Sequence, residues 1–171
     1  MPEATTPVWA LTLAYWIHML ATVTWIGGLS AMALLIVPAA RSTLDAEKFA
    51  ALLEAVQRRL GPVGWLSLAL LIGTGMFQLS GNENYQGLLV VQNRWGAAIF
   101  VKHLLFFGMT GISAYLTWSI LPDLRRAALR QAHGQKVKDF ESLQKQEALL
   151  LRINLVLGIL ILAMTAIARA S

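Results

Sequence analysis

The stretch from Val8 to Val37, VWALTLAYWIHMLATVTWIGGLSAMALLIV, decides the fold, because it runs for thirty residues without Asp, Glu, Lys or Arg. A helix needs about 20 apolar residues to cross the hydrocarbon core of a bilayer. At 1.5 Å per residue, a helix of this length would extend roughly 45 Å. The stretch therefore predicts a membrane-spanning helix that tilts or projects beyond the bilayer.

Three further apolar stretches, at 63–79, 97–121 and 148–168, are long enough to span a membrane. Of the 171 residues, 57% are hydrophobic and 13% are charged, whereas soluble domains carry about 25% charged residues. The sequence therefore predicts an all-α fold, an integral membrane four-transmembrane-helix bundle that forms a single membrane domain over 1–171. The chain has no cysteine, which excludes disulfides, thiolate metal sites, iron–sulfur clusters and cysteine nucleophiles.

The connection between the first two spans, at 43–60, is amphipathic. Its apolar residues recur at helical spacing and its charged residues occupy the other side, which predicts a short helix on the membrane surface. Prolines at Pro38 and Pro122 and the pair Gly61-Pro62 predict the ends of the neighbouring spans.

Basic residues are concentrated in the first and third connections. The first holds four Lys or Arg and the third holds six, whereas the second connection holds only Arg94. By the positive-inside rule, both termini face outward and the two basic connections are cytoplasmic, as in a multi-pass protein of the inner (plasma) membrane. The net charge of +5 is explained by this orientation, so the bilayer and not nucleic acid is the expected partner. The six basic residues of the third connection are Arg125, Arg126, Arg130, Lys136, Lys138 and Lys145.

Several polar groups lie inside the spans, where they are costly and usually face the bundle interior. His18 belongs to the first span, Lys102 and His103 to the third, and Gln78 and Arg169 end the second and fourth. Counted from the outer side, all five fall in the outer half of the bilayer. We expect them to converge on one layer, with His18 and His103 facing each other.

Two opposed imidazoles are the arrangement that axial ligation of haem b requires. Lys102 or Arg169 would then pair with the haem propionates, and Trp25 lies on the same helical face as His18. Histidine also binds copper, and Met19 and Met76 near this layer offer soft ligands for Cu(I). The alternative is that each histidine only hydrogen-bonds a neighbouring helix.

The motifs around His18 resemble the copper-resistance protein D (CopD) family over nearly the whole chain. The resemblance is carried by the segments 16–20 and 25–29, WIHML and WIGGL, by Thr74-Gly75, by Gly96 before the segment 101–104, VKHL, and by Leu151-Arg152. It implies a membrane protein that handles copper, with the site at His18 and His103.

The same His and Trp-X-Gly pattern, with a lysine in the third span, is similar to the HemJ-type protoporphyrinogen oxidases, which are small four-helix haem proteins. Carried over by position, His18 and Lys102 match the functional His and Lys of that group. The sequence departs from the group after Trp25, where an expected arginine is missing and Arg41 comes much later.

The sequence thus leaves three hypotheses, and whether the protein is an enzyme stays open. The first is copper binding or transport at an outer-leaflet His site, with a periplasmic copper protein as partner. The second is a haem b redox protein or oxidase that passes electrons to a quinone or another redox partner. The third is a non-catalytic membrane subunit. A homo-oligomer is compatible with all three.

Overall fold

The computed structural model describes residues 7–82, 87, 91, 93–133, 135 and 140–171. Lys136 and Lys138, two of the basic residues counted above, lie outside these ranges. Within them the chain is helical, and four rods are long and apolar enough to cross a membrane. This confirms the predicted all-α four-helix architecture of a multi-pass membrane protein.

Two of the rods change helix type along their length, while the other two are regular. The first and third rods each contain a π-helical turn, in which backbone hydrogen bonds reach five residues instead of four. The bounds are as follows: the first rod contains α1 (Val8–Ser30), the π turn Ala31–Ile36 and α2 (Val37–Thr43); the second is α3 (Ala46–Ser80); the third contains α4 (Arg94–Tyr115), the π turn Leu116–Ile120 and α5 (Leu121–Ala132); the fourth is α6 (Phe140–Arg169).

The proline residues that are predicted to mark the ends of the membrane spans do not end the helical rods. Pro38 and Pro122 are the second residues of α2 and α5, in the first turn, where a missing N–H is tolerated, and each of these two helices directly follows a π turn. Pro62 lies inside α3, which continues through it. One lost backbone bond is a limited cost for a helix that is packed against neighbours on both sides of the proline.

The amphipathic segment 43–60 is not a separate helix on the membrane surface, so that prediction was wrong. Its residues from Ala46 onward form the first turns of α3. Phe49 and Leu53 on its apolar face are 1% and 3% exposed and pack with Leu124 and Phe140. The periodicity was identified correctly, but the apolar face is covered by protein instead of lipid.

The rods form two closely packed pairs. Helix α1 packs along α3, α4 packs along α6, and α6 also contacts α1. Helix α5 packs on the first half of α3. We call the end of the bundle with Val8, Ser80, Arg94 and Arg169 the His18 end, and the opposite end the Arg41 end.

Most of the apolar surface of the rods faces outward. In the most apolar window of α3 only 11% of the residues are buried within the protein. Since contiguous apolar surface of this extent is not stable in water, the exposed side chains are in contact with the bilayer.

A matched pair of glycines in α3 tests how closely α1 and α3 pack. A Cβ added at Gly64 would lie 3.0 Å from the Trp25 ring, whereas one added at Gly73 would meet nothing within 4 Å. We expect Gly64→Ala to lower the free energy of unfolding by about 1–3 kcal/mol, because the indole must shift in a packed interface. Gly73→Ala should be neutral or stabilising. Denaturant unfolding in detergent micelles measures both, and equal effects at the two positions would contradict the close packing.

Candidate functional site

His18 is held by the neighbouring helix α3. Its Nδ1 lies 2.8 Å from Thr74 Oγ1, and that hydroxyl donates its own proton to the Leu70 carbonyl at 2.5 Å. Because the hydroxyl proton is already used, Nδ1 must carry a proton and donate it to Thr74. This assigns the tautomer and leaves the Nε2 lone pair of His18 free. A Cβ at Gly75 would lie 3.5 Å from the ring carbon Cε1, so the lack of a side chain there leaves room beside the ring.

Polar groups from all four rods meet around His18. Helix α3 contributes Thr74, and one turn further along Gln78 donates to the Ala14 carbonyl at 3.3 Å. Lys102 of α4 lies near enough to His18 for an electrostatic interaction, and Arg169 of α6 is similarly near Lys102. We call these five side chains (His18, Thr74, Gln78, Lys102 and Arg169) the polar layer.

Arg169 is further fixed by an aromatic contact, since its guanidinium lies 4.6 Å from the centroid of the Tyr15 ring. Such a cation–π contact favours a defined position for a side chain that is otherwise exposed. It connects the last turn of α6 to the first span, which brings the positive charge toward the helix that carries His18.

His103 has a different environment. Its Nδ1 lies 2.7 Å from the Ile99 carbonyl of its own helix, so Nδ1 donates and Nε2 is again free. His133, outside the apolar spans, makes the same bond to its own helix at 2.7 Å, so this bond alone does not distinguish a ligand. No contact described in the structure joins the His18 and His103 rings.

The remaining predicted site residues lie further from His18. Trp25 is buried two helical turns deeper, against Gly64, and its indole Nε1 is buried without a partner in the described structure. Met19 and Met76 are 65% and 51% exposed on the outer surface of α1 and α3.

Asn154 forms a polar contact in the middle of the bundle. It is completely buried, and its Nδ2 donates to Ser113 Oγ at 2.7 Å, joining α6 to α4. Its Oδ1 is buried without a partner among the described residues. Hydrogen bonds of this kind replace the hydrophobic drive that membrane helices lack. Asn154 is a polar residue within an apolar stretch, but its partner Ser113 lies 41 residues away along the chain, so the sequence alone does not identify the pair.

The Arg41 end contains an ion pair that the sequence did not reveal. Arg41 Nη2 lies 2.6 Å from Glu147 Oε2, and Glu147 is 1% exposed. The same guanidinium donates to the Gln144 carbonyl and lies 5.8 Å from the centroid of the Phe49 ring. The pair joins the first rod to the fourth. The only sequence signal was an acidic residue directly before the apolar span at 148–168.

The donor set is sparse for a resident metal. Among the described residues, no three His, Asp or Glu side chains form a group that could hold a metal ion. Two cavities, of about 360 and 760 Å³, lie at the Arg41 end, and neither is lined by His18 or His103.

The chain matches the model of one protein family, described as copper resistance protein D, over residues 54–168. This range covers about two thirds of the chain; it includes Thr74, Lys102 and His103 and begins after the helix that carries His18. No curated protein and no solved structure matches the chain. A match over more than half of the chain, which includes Thr74-Gly75, the segment 101–104 and Leu151-Arg152 but does not extend to HemJ-type oxidases, confirms the resemblance to one of the two families named above: the chain belongs to the copper resistance protein D (CopD) family.

Proposed function

We propose that this protein binds copper transiently at the polar layer and takes part in moving it into or across the membrane, with His18 as the central ligand. The observation that carries the proposal is the bond from His18 Nδ1 to Thr74 on the neighbouring helix. Histidines that bind metals usually donate their second ring N–H to an oxygen, which orients the ring and presents the other nitrogen to the ion. The bond to Thr74 orients His18 in this way from a neighbouring helix, whereas Nδ1 of His133 bonds to the Leu129 carbonyl of its own helix.

The available donors suit copper as cargo better than as a resident cofactor. His18 Nε2 is a good ligand for copper, and His103 Nε2 or one of the thioethers of Met19 and Met76, or both kinds of donor, would complete a two- or three-coordinate set. No group of three His, Asp or Glu ligands is preformed among the described residues, so the set would assemble around an entering ion. A site with one oriented ligand binds weakly and releases readily, as transport through multiple sites requires.

The charges around His18 support the same interpretation. Lys102 and Arg169 bring positive charge to the layer, and positive charge opposes the retention of a cation. We propose that Lys102 keeps the affinity low, so that copper passes on instead of being trapped.

The proposed orientation has the His18 end outward. Lys and Arg side chains are concentrated at the opposite end, in α2, the first half of α3 and α5, as expected for the cytoplasmic side. Copper would then arrive at His18 from outside, delivered by a periplasmic copper protein where the membrane is a bacterial inner membrane.

The variant Lys102→Gln tests the electrostatic part of the proposal. Removing the charge while retaining most of the volume, and without adding a thioether, should tighten Cu(I) binding by roughly tenfold, which corresponds to about 1.4 kcal/mol. Competition with a chromophoric Cu(I) chelator measures the change. Lys145→Gln, which removes a lysine charge that is paired with Glu141 at the Arg41 end, should leave the affinity unchanged. Weaker binding in Lys102→Gln would instead identify the neutral amine of Lys102 as a ligand.

Metal analysis and an absorption spectrum of the purified protein test the function itself. Copper bound reversibly by the protein, together with copper uptake into vesicles that contain it, would support the proposal. A Soret band that shifts on reduction with dithionite and disappears in His18→Ala would overturn it in favour of haem b. A protein that binds neither would leave only a non-catalytic subunit.

A further inference from the structure

A groove of about 760 Å³ runs between α3 and α5 at the Arg41 end. Gly61 and Pro62 of α3 line one wall and Pro122 of α5 lines the other. Glycine has no side chain to fill the space, and α5 begins directly after the π turn Leu116–Ile120.

Stacked indoles lie at one end of the groove. Trp65 lines it, and the Trp118 ring stacks on Trp65 with centroids 5.2 Å apart and planes inclined by 8°. Trp118 is 69% exposed. Tryptophan is enriched at the level of lipid headgroups, so the pair indicates the depth at which the groove passes from hydrocarbon to headgroups.

Arginines line the other end of the groove. Arg58, Arg125 and Arg126 contribute to its walls. Glu54 accepts from Arg58 at 3.4 Å and from Arg125 at 3.0 Å, and Asp123 accepts from Arg126 at 3.0 Å.

Three guanidinium groups against two carboxylates leave one positive charge in excess at this end. The three arginine side chains are 53–76% exposed, so an incoming anion has access to them. Arginine forms bidentate hydrogen bonds with phosphate. The arginine end is therefore suited to one phosphodiester.

We propose that this groove binds an anionic glycerophospholipid of the leaflet at the Arg41 end. The phosphate would contact the arginines, and an acyl chain would lie along the apolar wall formed by Trp65 and Leu121, which are on the side of the arginines nearer the apolar spans. The apolar wall, continuous with the membrane-spanning part of α3, favours a lipid over a soluble phosphate. The proposal depends neither on copper nor on which side of the membrane the Arg41 end faces.

Quenching of tryptophan fluorescence by brominated lipid tests this site in the full-length protein. The protein is reconstituted in zwitterionic phosphatidylcholine vesicles in which one tenth of the lipid is brominated, as either phosphatidylglycerol or phosphatidylcholine. We expect at least twofold more quenching by brominated phosphatidylglycerol, and loss of this excess in Trp65→Phe/Trp118→Phe, which removes both stacked indoles. The excess should also disappear in Arg125→Gln/Arg126→Gln. It should persist in Arg59→Gln/Arg130→Gln, which removes the same charge from arginines that do not line the groove.

Four outcomes would overturn the proposal. Equal quenching by the two brominated lipids would mean that the groove does not select an anionic headgroup. Equal loss in both double variants would indicate general attraction to a basic surface. Displacement by soluble glycerol phosphate would identify a free phosphate as the ligand. Quenching that falls as the protein-to-lipid ratio rises would identify a second copy of the chain in the groove.

Discussion

Replacing His18 with alanine should weaken Cu(I) binding at least about 100-fold. Loss of a partner that merely orients a metal ligand costs roughly 10–100-fold in affinity, and His18 is the ligand itself in the proposed site. Competition with a chromophoric Cu(I) chelator on detergent-purified protein measures the loss. Thr74→Val should produce an intermediate loss of about 10-fold or more, because the ring keeps its nitrogen but loses its orientation. Thr74→Ser, which retains the hydroxyl, should bind nearly as the parent protein does.

The control for this prediction is His133→Ala. His133 makes the same bond to its own helix that His103 makes, but it lies far from the polar layer, at the Arg41 end. Its removal should leave copper affinity unchanged. If His18→Ala folds and retains its affinity, copper binds elsewhere and the proposed function fails at this site.

Replacing Glu147 with glutamine should lower the free energy of unfolding by about 3–5 kcal/mol. Glu147 is 1% exposed and pairs with Arg41, whose side chain is 25% exposed. Removing one partner of a buried pair leaves the other charge uncompensated, and the desolvation cost of that charge remains. The partial exposure of Arg41 places the expected value near the lower limit of the range. Denaturant unfolding in mixed micelles measures the change.

Two further variants separate this effect from a general loss of negative charge. Glu141→Gln removes a carboxylate that is 84% exposed and 4.0 Å from Lys145, so it should change stability by less than about 0.5 kcal/mol. Arg41→Met/Glu147→Leu replaces both charges with apolar groups of similar volume and should recover most of the loss. If the double variant is as unstable as Glu147→Gln, the loss does not arise from an unpaired charge.

The membrane character and the number of spans followed directly from the sequence, because both depend on how much apolar surface the chain carries and on the length of each apolar run. The position of each polar group along its own helix also followed, since residue counting along a helix gives height at 1.5 Å per residue. His18, Gln78, Lys102 and Arg169 do lie at one end of the bundle, and their depth in the bilayer stays a prediction.

The segment 43–60 shows where periodicity was insufficient. An amphipathic face needs an apolar surface to cover it, and lipid and protein satisfy the same pattern equally well. Only the positions of α5 and α6 show that Phe49 and Leu53 pack on protein. The continuation of α3 through Pro62 was likewise not predictable from local sequence. A proline that ends an isolated helix is tolerated within a rod whose two halves each pack against a neighbour.

The contacts within the polar layer were decided by the tertiary structure alone. Spacing assigns a side chain to a face of its own helix, but the rotation of that helix and the identity of its neighbour depend on packing summed over many side chains. Helix α1 packs on α3, so His18 bonds to Thr74 and not to a residue of α4. For the same reason Arg41 meets Glu147 and Asn154 meets Ser113, across 106 and 41 residues of chain. Composition and spacing thus identified the bilayer as the surrounding medium, the number of spans and the position of each residue along its helix. The partner of each polar side chain depended on how all four rods pack together.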